Sequence, residues 1–226
     1  MTAYVANQTL TTSPTAGLNP AQRMGTLLWL PMLLMGLMVL GAAFGLGVAR
    51  GAIGADLFET FDASDQASFA TLGVLSAGFA MLGLGLLLAA ISFALVRLAG
   101  VFRKGGASIQ KAAGQPVRGS PMAWTAWAFL GLMMMGMMVV IAGFVAQVVA
   151  AVSIYDAWID ATGPDGAVVS DLGRAQSITT WSVPVMRAGV ALLFTGIAFM
   201  LATIVHGLRE QALRLKQMAT LAESSV

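Results

Sequence analysis

Cysteine is absent from this 226-residue chain, His206 is its only histidine, and charged side chains make up just 10% of it. Each shortage removes a class of chemistry. Without thiols the chain alone supports neither disulfide exchange nor iron–sulfur ligation, and one imidazole cannot supply both axial ligands of a bis-histidine haem. A soluble domain carries about a quarter charged residues. Here the low charge combines with 58% apolar residues and a mean hydropathy of +0.84, which places the chain in a lipid bilayer. No nucleic-acid partner is expected.

What the sequence does have is four long apolar runs, near 26–49, 72–96, 124–152 and 183–208. Each is long enough to cross a hydrocarbon core of about 30 Å, which takes roughly 20 helical residues. Their unbroken length, their Ala, Leu and Met content and the lack of dyad alternation read as helices rather than barrel strands. The fold class is therefore an all-α integral membrane protein with four transmembrane helices.

Positive charge sets the expected orientation, because Lys and Arg beside a span are retained on the cytoplasmic side. Arg23, Arg97, Arg103, Lys104, Lys111, Arg118, Arg209, Arg214 and Lys216 lie before span 1, between spans 2 and 3, or after span 4. Both termini are thus expected in the cytoplasm. The other two loops are acidic, with Asp56, Glu59, Asp62 and Asp65 in one, Asp156, Asp160, Asp165 and Asp171 in the other, and Arg50 and Arg174 as the offset. Trp29, Trp124 and Trp127 would anchor the inner boundary, and Tyr155, Trp158 and Trp181 the outer one. Compact loops and an Ala- and Gly-rich composition point to a bacterial inner membrane.

The chain divides into a polar cytoplasmic tail (1–22), a first two-span unit (23–100), a basic, Gly-rich inner loop (101–121), a second two-span unit (122–208) and a cytoplasmic C-terminal helix or tail (209–226). The tail has no positive n-region and the run after it is too long for a signal h-region, so span 1 is expected to persist. Asn19 and Pro20 read as an N-cap and first helical position. Asp56 to Asp62, where acids alternate with aromatics, reads as a short helix on the membrane surface.

The two units resemble each other. A shift of 100 residues lays Met35, Gly36, Met38 and Val39 over Met135, Gly136, Met138 and Val139, and a shift of 111 lays Ala77 and Gly78 over Ala188 and Gly189, with Gly85 over Gly196. The longer second shift places extra residues in the second outer loop, around Thr162 to Gly166. Each copy holds an even number of spans, so the copies enter from the same side as tandem parallel repeats, unlike the inverted repeats of many secondary transporters.

Within the spans, Arg187 stands about one turn inside the outer end of span 4, and Gln147 at similar depth on span 3. Asp156 and Asp171 are expected within reach. Together they make a candidate polar site or partner contact, although an Arg that snorkels to the interface explains the same pattern. Met35, Met38, Met135 and Met138 crowd matching depths. Thioethers bind Cu(I), but without Cys or a nearby His, helix packing explains them better. Gly41 and Gly45 form a GxxxG pair, a candidate for close helix packing. His206 sits at the cytoplasmic end of span 4, an ordinary place for an interfacial imidazole. The glycines of the inner loop match neither a P-loop nor a dinucleotide fingerprint, and its basic charge suits headgroup contact or topology alone.

No catalytic, cofactor or metal constellation is legible, and the chain is expected to be no enzyme. The favoured expectation is a non-catalytic accessory or structural subunit of a multi-subunit inner-membrane complex. Its partners would be other membrane subunits and lipids, with lipid or pigment between helices and no cofactor of its own. The alternative is a small oligomeric transporter or channel, against which the scarcity of intramembrane charge counts. A membrane enzyme acting on lipids or quinones from its loop faces ranks third.

Overall fold

A computed structural model describes residues 20–57, 62–112, 124–160 and 167–223. They form four helices, α1 (Pro20–Asp56), α2 (Ala63–Ala112), α3 (Trp124–Asp160) and α4 (Ala167–Glu223). Each contains a stretch long and apolar enough to cross a membrane, so the chain is an all-α, multi-pass membrane protein.

Local chemistry accounts for where the first two helices start. Pro20 begins α1, at a position where a missing N–H leaves no hydrogen bond unmade. The backbone N–H of Ser64 donates to Asp62 Oδ1 at 3.1 Å, so Asp62 caps α2. With 50 and 57 residues at about 1.5 Å each, α2 and α4 far exceed the hydrocarbon thickness. α2 thus continues through the first part of the basic inner segment, to Ala112. The rest of that segment lies outside the described residues, as do most of the expected surface helix (58–61) and the 161–166 stretch of the second outer loop.

Two antiparallel hairpins result, α1 with α2 and α3 with α4. α2 touches all three other helices, whereas among the described residues α1 meets α2 alone. The core is therefore a three-helix affair, built from Leu88 and Ala89 of α2, Met133 and Val140 of α3, and Val190 and Leu193 of α4. α1 leans on its outside. Only 11% of its most apolar stretch is buried, against 39% for α2. In lipid, burying an apolar face against protein gains little, so small residues decide which face meets a neighbour. On α1 these residues include Gly25, seated against the Phe93 carbonyl, and Gly36, seated against Leu87.

The two hairpins do not share one register. In the first, Gly36 lies against Leu87, Leu40 against Gly83 and Arg50 against Gly73; in the second, Gly136 lies against Leu193 and Gly143 against Met186. Carrying the first register over by the shifts of 100 and 111 would bring Ala198 opposite Gly136. Leu193 is there instead, more than a helical turn away. The matched sequence segments therefore occupy hairpins that have slid relative to one another.

Candidate functional site

The shared Met-Gly-x-Met order has one orientation in both hairpins. Gly36 and Gly136 face inward onto their hairpin partners. Met35, Met38, Met135 and Met138 point away from the chain's own core, with Met38 75% and Met138 68% exposed. Packing inside the chain falls to other methionines, including Met133, Met186 and Met200. Gly41 and Gly45 likewise face outward: a Cβ on either would meet nothing within 4 Å. The residues expected to pack helices thus lie on surfaces that no other described helix covers.

Gln147 is buried, and its Nε2 donates to Ser182 Oγ at 3.1 Å across the α3–α4 interface. Ser182 Oγ donates in turn to the Thr179 carbonyl at 3.4 Å. Gln147 Oε1 is buried without a hydrogen-bond partner and faces Gly78, where a Cβ would lie 3.5 Å from it. This polar cluster is internal and joins three helices.

Arg187 is elsewhere. Its neighbours Met186 and Gly189 are buried, while Arg187 itself is exposed on the outer side of α4. The structure therefore does not bring Arg187 and Gln147 into one polar site. It also sets Arg187 deeper than the hydropathy of span 4 implies. Gly189 sits against Val139 and Val140, Val140 against Gly85 of α2, and Gly83 against Leu40 of α1, so these positions share one level. Arg187, two residues before Gly189, is level with Gly83 and Leu40, and from there Arg50 is ten residues along α1, about 15 Å away, while Arg97 is fourteen residues along α2, about 21 Å away. These two bracket a slab of about 36 Å, a little more than the hydrocarbon thickness, and Arg187 lies well inside it. Asp171, sixteen residues earlier on α4, is about 24 Å off and out of reach. No described side chain pairs with Arg187. A lone guanidinium at this depth costs about 2.5 to 3.5 kcal/mol on insertion scales.

Two arginine contacts were not anticipated from sequence. The guanidinium of Arg50 lies 4.4 Å from the Phe69 ring centroid and fills the space that Gly73 leaves, where a Cβ would stand 2.9 Å from Cζ. The signal was present in the glycine that faces an arginine across the hairpin, but it needs the register to be read. At the other end of the same hairpin, Arg97 lies 5.8 Å from the Trp29 ring, and the two residues line a shallow groove with Ala94, Leu98 and Val101. His206 is exposed and stands 3.5 Å from Glu210 one turn on. Among the described residues no three His, Cys, Asp or Glu side chains gather as a metal site would need.

Against known proteins, no family model, no curated protein and no solved structure matches this chain.

Proposed function

We propose that the chain is a non-catalytic accessory subunit of a multi-subunit inner-membrane complex, where it packs against and stabilises catalytic subunits. The observation that carries this reading is the outward aim of its packing residues. Gly41 and Gly45 leave α1 free for the close approach of another helix, and the exposed methionines beside them adapt to an irregular partner surface. Both helices of each unit run antiparallel, which fits tandem parallel repeats with both termini in the cytoplasm, on the side where Arg97 and Arg209 lie. The Trp29 and Arg97 groove would then face the cytoplasmic leaflet, placed to take a lipid headgroup.

Extraction of the native membrane in mild detergent, followed by native mass spectrometry of the species that carries this chain, tests the reading. Fixed stoichiometry with larger catalytic subunits is expected. Recovery of the chain alone or only as a homo-oligomer would replace it with the transporter reading, to be tested by solute flux in liposomes.

A further inference from the structure

We propose that the Arg187 face of α4 docks a transmembrane helix of a second protein, and that this helix carries an Asp or Glu well inside the bilayer. The inference rests on the accessory-subunit reading and specifies the chemistry of its partner.

Arg187 supplies the first reason. Its guanidinium is a permanent cation, it sits well inside the slab between the Arg50 and Arg97 levels, and it points away from its own core without a described partner. A headgroup phosphate would be about 15 Å away, half the hydrocarbon thickness, which is further than an arginine side chain extends. An anion at its own depth satisfies it directly.

The surface around Arg187 supplies the second reason. Pro184, Ala188, Ala191, Thr195, Ala198 and Ala202 recur in alternating steps of four and three residues, and all are exposed. They form one continuous seam of small side chains beside Arg187. Such a seam lets a second helix backbone come close, which lipid tails do not require. Thr195 keeps its hydroxyl on the Ala191 carbonyl at 2.8 Å, so that hydroxyl is already satisfied within α4.

The acidic partner cannot be another copy of this chain. Between the Arg50 and Arg97 levels none of the four helices carries an Asp or Glu. Charge complementarity at this depth therefore demands a different protein.

The test uses the full chain, tagged and expressed in its native membrane, with the assembly extracted in mild detergent and weighed by native mass spectrometry. Wild type is expected to carry a second membrane protein with an Asp or Glu inside an apolar span. Arg187→Leu and Arg187→Glu should each lower its recovery by about tenfold or more, while Arg187→Lys retains most of it. Ala191→Phe, which blocks the seam but keeps the charge, should also lower recovery. Pairing Arg187→Glu with an Arg in place of the partner's acid should restore it. Because the chain has no Cys, Ala188→Cys provides a single thiol, expected to be shielded from a lipid-soluble maleimide in the assembly and reactive once Arg187→Leu is added. A partner recovered equally with Arg187→Glu overturns the docking face and leaves the accessory reading standing. A wild-type chain recovered alone, as a homo-oligomer, or with only anionic lipid bound overturns both.

Discussion

Gly136 and Gly189 meet backbone to backbone where α3 crosses α4. A Cβ on Gly136 would stand 2.8 Å from the Gly189 carbonyl oxygen, and one on Gly189 would stand 2.9 Å from that of Gly136. Neither carbonyl is the end of a flexible side chain, so the helices themselves must move apart to admit a methyl group.

Gly136→Ala or Gly189→Ala should therefore destabilise the fold by about 1 to 3 kcal/mol, the usual range for overpacking. Unfolding of the purified chain in mixed micelles measures this. Gly41→Ala is the control: with nothing within 4 Å of the added Cβ, monomer stability should stay within about 0.5 kcal/mol of wild type. A comparable loss at Gly41 would mean that the purified species is already an oligomer packed through that face.

Arg50 and Phe69 should be energetically coupled. Their cation–π geometry predicts a coupling of about 0.5 to 2 kcal/mol in a double-mutant cycle of Arg50→Met and Phe69→Leu. Gly73→Leu, which fills the guanidinium's place, should abolish most of that coupling by itself. Additive effects of the two single changes would show that the ring contact holds nothing in place.

Ser182→Ala should cost more than it removes. It deprives Gln147 Nε2 of its acceptor while Oε1 is already unpaired, so a loss of about 1 kcal/mol is expected. The double change Gln147→Leu with Ser182→Ala removes the buried amide altogether and should recover most of that loss. An interhelical hydrogen bond in a membrane is worth only about 0.6 kcal/mol on average, so the cycle needs replicate unfolding curves.

Orientation can be read chemically because the chain has no native thiol. Ser64→Cys, exposed beside the Asp62 cap, should react with a membrane-impermeant maleimide added outside intact cells. Ala212→Cys, exposed beyond His206, should react only after permeabilisation. The reverse pattern would invert the proposed topology.

The number of helices was legible in the sequence because hydropathy integrates over twenty residues and tolerates local errors. The start of α1 was legible for a different reason: Pro20 fits only a few helical positions. What the sequence withheld was direction. α1 is apolar on every side, so no periodicity distinguishes Gly36, which faces Leu87, from Gly41, which faces outward. The depth of Arg187 was hidden too, since the hydropathy of span 4 alone sets its outer end near Val183. Only contacts from Gly189 to Val140 and on to Gly85 tie it to the charges of the neighbouring helices. The hairpin register, and with it the Arg50, Phe69 and Gly73 cluster, depends on interhelix contacts that no single helix encodes.

The solitary contact between α1 and α2 has a consequence for biosynthesis. Among the described residues, everything α1 touches has been made once α2 enters the bilayer, so the first hairpin can close before α3 is translated. α2 then presents its other side, with Leu88 and Ala89, to lipid until α3 and α4 arrive. During that interval the nascent chain is a two-helix intermediate whose open flank is the future core, and insertion factors would meet that flank first.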